Sequence, residues 1–220
     1  MKKIFLSILF TAVLSMSCSQ KKPETIVAKD SVEIITVKKD TAITVKREFT
    51  TRSGRKLVII EAKPSISISN YSIYGIGFKT SDTIKYNLKN PMTTVYLTDL
   101  DKNGFEELYI VTKAAGPGFF LDLLGVASYE DSTFSEILIP EITDEEIQKN
   151  RKFSGYLGND SIYIKDNKIV RLFPVYESSD YNSLPAGGRR ILIYSLIDLK
   201  NLNYKDSKNE LQITGVENLK

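Results

Sequence analysis

The stretch Asp99-Leu100-Asp101-Lys102-Asn103-Gly104-Phe105-Glu106-Glu107 sets side-chain oxygens at alternate positions and then a glycine. That order suits a loop that wraps a hard divalent cation such as calcium. A full helix-loop-helix calcium site is excluded, because the place of its bidentate glutamate, counted from Asp99, is taken by Ile110. Glu106 or Glu107 would have to close the shell, and the candidate ligand set is Asp99, Asp101, Asn103 and Glu107. The same residues also make a good turn between two strands, since Asx side chains bond their own backbone. Both readings stay open, and no other cofactor is expected.

A second group is Ala114-Ala115-Gly116-Pro117-Gly118-Phe119-Phe120, between the apolar run ending at Val111 and a strand that begins at Leu121. Pro117-Gly118 suits the central pair of a type II turn and gives a stiff tip. Adjacent residues of a strand face opposite ways, so one of the two phenylalanines is expected to point away from the core. An aromatic beside a rigid loop loses little entropy on docking, which makes Gly116, Pro117, Gly118, Phe119 and Phe120 the candidate binding loop. A hairpin with both rings buried is the competing expectation. A third group comprises the stretch Gly155-Tyr156-Leu157-Gly158-Asn159-Asp160, then residues 169–176, and Asp180, Asn182, Gly187, Gly188 and Arg189 in a long polar loop. Arg171, Arg189 and Arg190 are expected to pair with Asp160 or Asp180, or to reach a carboxylate on a partner.

The rest of the composition narrows the chemistry. The 220 residues include no histidine, no tryptophan and one cysteine, Cys18. Nucleophilic triads that use histidine are therefore impossible, and only carboxylates remain as charged metal ligands. Glycoside cleavage needs two acids facing across a groove, whereas the dense acids here fall in one turn, so the chain is expected not to be an enzyme. With Lys2 and Lys3 set aside from the 30 basic residues, 28 face 27 acids, which gives no electrostatic case for nucleic acid.

These groups must be held by strands. Residues 42–49 and 56–62 flank Arg52-Ser53-Gly54-Arg55 and read as a hairpin. Residues 71–78, 93–98, 107–112 and 121–129 continue the series, with Gly75 and Gly77 expected to permit close packing or a bend. Residues 161–165 and 168–173 flank Asp166-Asn167, and 190–199 supplies a last long strand. Thr143-Asp144-Glu145-Glu146 has capping-box spacing and marks one short helix, ended near Asn150. The expected fold is all-β and mainly antiparallel, a β-sandwich or partly closed barrel of about eight strands with one short helix.

Behind Lys2 and Lys3, the run from Ile4 to Met16 is too short to span a bilayer and has the character of a secretory leader, expected over residues 1–17. Leu14-Ser15-Met16-Ser17-Cys18 resembles the lipobox of bacterial lipoproteins. The resemblance implies that acylated Cys18 anchors the chain to a membrane through lipid, in the bacterial cell envelope, at the outer membrane or in the periplasm. Residues 18–40 then form the lipidated cysteine and a charged, flexible tether in which residues 31–37 could make a short peripheral strand. Residues 41–220 are expected to form a single antiparallel β domain.

The order of Tyr71-Ser72-Ile73, the Asp99-Leu100-Asp101 turn running into Glu107-Leu108, the Gly116 to Gly118 loop, Gly155-Tyr156, Phe173-Pro174-Val175-Tyr176 and Gly187-Gly188 resembles periplasmic inhibitors of invertebrate-type lysozyme. The resemblance covers roughly residues 65–199. It implies a mostly antiparallel β domain that inserts a loop into the lysozyme cleft, with a lysozyme or another envelope protein as partner. The family's Ser-Gly-x-Tyr loop falls on Pro117-Gly118-Phe119-Phe120, so the glycine is kept and both hydroxyls are absent. An envelope interaction or glycan-binding module without lysozyme inhibition is the alternative.

Overall fold

Runs rich in valine, isoleucine, threonine and tyrosine alternate with Gly, Asn and Asp turns along the chain, a composition that favours pleated, half-buried strands. In the computed structural model, which describes residues 31–33, 43–80, 82–148, 151–180, 184–197 and 209–220, these runs form thirteen strands rather than about eight. The expectations for the leader, Cys18, Asn150 and Asn182 lie outside the described residues. Among the described residues no helix is long and apolar enough to cross a membrane.

Chain order and sheet order coincide. The first sheet is a meander of β1 (Ser31–Glu33), β2 (Ile43–Thr50), β3 (Lys56–Ser65), β4 (Ile68–Ile76) and β5 (Thr83–Lys89). The second contains β6 (Met92–Thr98), β7 (Glu107–Lys113), β8 (Leu121–Tyr129) and β9 (Thr133–Glu136). The third contains β10 (Ser161–Lys165), β11 (Lys168–Pro174), β12 (Arg189–Ile197) and β13 (Glu210–Leu219). All these strand pairs are antiparallel, and most are joined by connections too short to cross over. Two expected turns have clear local causes. Gly54 takes φ +82° between β2 and β3, and Asp166 and Asn167 take φ +51° and +55° between β10 and β11. Two successive positive φ values are what a tight hairpin turn needs to match strand twist.

The second sheet is the middle layer. Leu108, Ile110, Leu124 and Val126 pack with Leu57, Ile59, Tyr71 and Ile73 of the first sheet. Their neighbours Tyr109, Val111, Leu123 and Ala127 pack with Ile169, Phe173, Leu192 and Leu211 of the third. A strand covered on both faces has no polar side to show, which explains why Glu107–Lys113 is buried almost throughout and lacks alternation. Each fully buried aliphatic side chain contributes roughly 1.5 to 3 kcal/mol, so the two interlayer cores dominate the stability. Hydrogen bonds cross both interfaces: Tyr86 Oη donates to Gly125 C=O at 3.1 Å and Tyr96 Oη to Ile162 C=O at 3.0 Å. Gly75 is a site of close approach, where an added Cβ would strike the rings of Phe78 and Phe134.

Helix α1 (Asp144–Ile147) is a single turn capped by Thr143, whose Oγ1 accepts from Glu146 N–H at 3.4 Å. Three acids in its first turn suit the positive end of the helix dipole.

Candidate functional site

β7 ends at Lys113 and β8 starts at Leu121, and the loop between them is closed at its base by Ala114 N–H donating to Phe120 C=O at 2.9 Å. Gly116 and Gly118 both have positive φ, +125° and +91°. The value at Gly118 is the one a type II turn requires after proline, and a side chain there would also meet Phe120 and the Leu157 carbonyl. The far side of the loop is pinned by Asn159 N–H, which donates to Gly118 C=O. Gly158 makes this contact possible, since an added Cβ would collide with the Gly118 carbonyl.

The two rings do not enter the core. Phe119 is 51% exposed and Phe120 41%, beside Leu157 at 43%. Phe120 rests edge-on against buried Tyr156, with ring centroids 5.7 Å apart. Phe119 holds φ +41°, a strained value for a bulky residue, and its ring lies 3.8 Å from Lys113 Nζ. Among the described residues, the N–H groups of Gly118 and Phe119 form no hydrogen bond.

Phe119 and Lys113 form one wall of an open cleft of about 440 Å³ whose other lining residues include Thr93, Asn159, Asp160 and Ser161. Asp160 has no exposed side-chain surface and lies 3.3 Å from Arg171 Nε. That separation makes an ion pair without hydrogen-bond alignment, for Arg171 Nε finds no acceptor while its Nη2 donates to Leu121 C=O at 3.0 Å. Burial holds the Asp160 pKa above the ordinary value, opposed by Arg171. With Asp160 buried and paired, Lys113 is the charge the cleft presents to solvent.

No family model, curated protein or solved structure matches the chain. The site is therefore read from its own geometry. Lys113 was not among the expected site residues, and Gly158-Asn159, though part of the third group, were not expected to contact this loop. The signal for Lys113 was a cation at the last strand position before a Pro-Gly loop, while Gly158 and Asn159 act on that loop from 40 residues away.

The other expected groups fall elsewhere. Asp180 Oδ2 accepts from Glu177 N–H at 2.7 Å and Ala186 N–H at 2.8 Å, so it closes its own loop, and these bonds lower its pKa. Gly187 and Gly188 pair with Val175 at the base of that loop, where a side chain on Gly188 would collide with the Leu219 carbonyl. Arg189 is exposed at the start of β12. Arg190 departs from the expected carboxylate pairing: it donates to Asn218 Oδ1 at 2.8 Å and to the Ser154 carbonyl at 3.0 Å.

The β6–β7 turn brings Asp99, Asp101 and Glu107 together, with one carboxylate oxygen of each within 4.8 Å of the others. Asn103 does not join them, because its Oδ1 accepts from Phe105 N–H at 2.7 Å and its amide donates to Asp101 Oδ2 at 3.0 Å. Glu106 turns away to accept from Arg52 N–H at 2.7 Å. Burial, reinforced by Asp101 and Asp99, pushes the Glu107 pKa up to about 9.

Proposed function

We propose that this chain is a binding protein of the bacterial cell envelope that plugs a carboxylate-lined cleft, as in a lysozyme, with the Gly116–Phe120 loop. The observation that carries this reading is the pairing of a pinned, apolar tip with the half-buried cation of the cleft: Phe119 and Phe120 stand out of the fold, and Lys113 lies against Phe119. Glycosidases work with acids in a sugar groove, and cationic and N–H donors on an inserted loop would compete with substrate for those acids. The free N–H groups of Gly118 and Phe119 would take the part that hydroxyls play in the Ser-Gly-x-Tyr loop. Because the tip is already ordered, little conformational entropy is lost on docking. No catalytic residue is assigned, since the clustered acids of the β6–β7 turn, of which Asp99, Glu106 and Glu107 are buried, lie together in one turn rather than across a groove.

The test is a panel of lysozymes of each class incubated with the purified protein. At least one should be inhibited at roughly micromolar concentration, and Lys113→Ala or Phe119→Ala should each weaken inhibition about tenfold, near 1.4 kcal/mol. Absence of inhibition across the panel would remove the lysozyme reading. A glycan-binding role is favoured by one feature of the cleft, the hydroxyls of Thr93 and Ser161 and the Asn159 amide beside an exposed aromatic. Retention on insoluble peptidoglycan, lost in Phe119→Ala, would select it.

A further inference from the structure

At the end of β7 opposite the binding loop, two carboxylate oxygens are buried with no donor. Asp99 is 7% exposed and Glu107 1%, and Asp99 Oδ1 and Glu107 Oε1 have no hydrogen-bond partner. Their second oxygens are engaged: Asp99 Oδ2 accepts from Gly104 N–H at 3.0 Å and Glu107 Oε2 from Leu100 N–H at 2.7 Å. The backbone thus fixes both carboxylates, and one oxygen of each lies within 4.8 Å of the other and of an Asp101 carboxylate oxygen. Among the described residues neither Asp99 nor Glu107 forms an ion pair with lysine or arginine. Buried acids left uncompensated are costly, and a cluster offering only oxygen atoms suits a hard cation.

We propose that Asp99, Asp101 and Glu107 bind one calcium ion. The ion would act as a staple for the three layers. Adjacent Glu106 accepts from Arg52 N–H of the β2–β3 turn, and Asn167 Nδ2 of the β10–β11 turn donates to the Asp99 carbonyl at 2.8 Å. The ligand turn belongs to the middle sheet and touches a turn of each outer sheet. Fixing it therefore stabilises the whole stack, and calcium affinity becomes folding stability by linkage. The site does not depend on the binding loop, which lies at the other end of β7.

The experiment uses the purified chain stripped with a chelator, titrated with calcium by calorimetry and followed by thermal melting. One ion should bind per chain with a dissociation constant of about 1 mM or tighter. At ten times that concentration the melting temperature should rise by about 3 °C. Terbium should also give tyrosine-sensitised luminescence that calcium displaces, in a chain without tryptophan. Asp101 is only half-buried, so Asp101→Asn should melt near the wild-type temperature in chelator yet lose the calcium shift and at least about tenfold in affinity. Lys113→Ala should keep the shift in full. No heat, no luminescence and no shift up to about 10 mM calcium would overturn the assignment. So would an equal response to magnesium, or a cation-indifferent protein stabilised by Glu107→Gln, which would mean that a buried proton takes the cation's place.

Discussion

Asp160 and Arg171 hold the Leu121 backbone at both its N–H and its carbonyl. Asp160 Oδ1 accepts the Leu121 N–H at 3.0 Å, and Arg171 Nη2 donates to its carbonyl at 3.0 Å. The two side chains are buried 3.3 Å apart, and Tyr156 Oη donates to Asp160 Oδ2 at 3.1 Å. An ion pair between the residue just before β10 and a residue of β11 thus anchors the first residue after the exposed Phe119-Phe120 tip.

Removing both members of the pair should cost less than the sum of removing each alone. Arg171→Met leaves a buried carboxylate and is expected to destabilise by about 3 to 5 kcal/mol. Asp160→Asn should cost about 1 to 3 kcal/mol, since the amide oxygen can still accept from Leu121. The double variant should fall short of the sum by about 0.5 to 3 kcal/mol in urea unfolding. Amide exchange at Phe120 and Leu121 should speed up in each variant before global stability is lost. Strict additivity would mean that the pair acts as two independent groups.

Asp180 gives the loop before β12 a dependence on acid. Its pKa is lowered by the Glu177 and Ala186 N–H groups, so the bonds are fully present above the ordinary value of 3.8 and are lost as pH falls through the folded-state value. Proteolysis of the 177–186 loop by an acid-active protease should therefore accelerate in that acid window, and Asp180→Asn should be cut faster at every pH with a flatter profile. An Asp180→Asn rate equal to wild type at neutral pH would show that these two bonds do not hold the loop.

Much of the scaffold is legible in the chain because its causes are local. Gly54, Asp166-Asn167 and Thr143 each specify a turn or cap within four residues, and the structure forms all three. Three strands escape such a reading for physical reasons. β5 (TIKYNLK) buries only Tyr86, β9 is four residues long, and β13 is largely exposed and interrupted by Gly215, whose missing side chain makes room for Ile193. The layering leaves one trace, the unbroken apolar run of β7, which admits a buried strand without naming its two neighbours. At the sites, the Pro-Gly tip and the Asp99 turn are visible as motifs. What turns them into sites comes from distant chain: Asn159 on Gly118, Asn167 on Asp99, and Arg52 on Glu106.

Restoring the hydroxyls of the Ser-Gly-x-Tyr pattern tests what the tip is shaped for. Pro117→Ser gives up a residue that limits the unfolded chain and should cost about 0.4 to 1 kcal/mol of stability. Phe120→Tyr keeps the ring against Tyr156, and because Phe120 is 41% exposed its para position has a route to solvent or partner. If the loop enters a cleft lined with acids, each hydroxyl should add a charge-assisted hydrogen bond of about 1.5 to 3 kcal/mol, and the double variant should inhibit at least tenfold more strongly despite its lower melting temperature. The two effects run in opposite directions, so greater stability cannot imitate the result. Inhibition unchanged in the double variant, with Lys113→Ala still weakening it, would mean that charge and apolar contact at Phe119 carry the complex and that the tip meets its partner in a different pose.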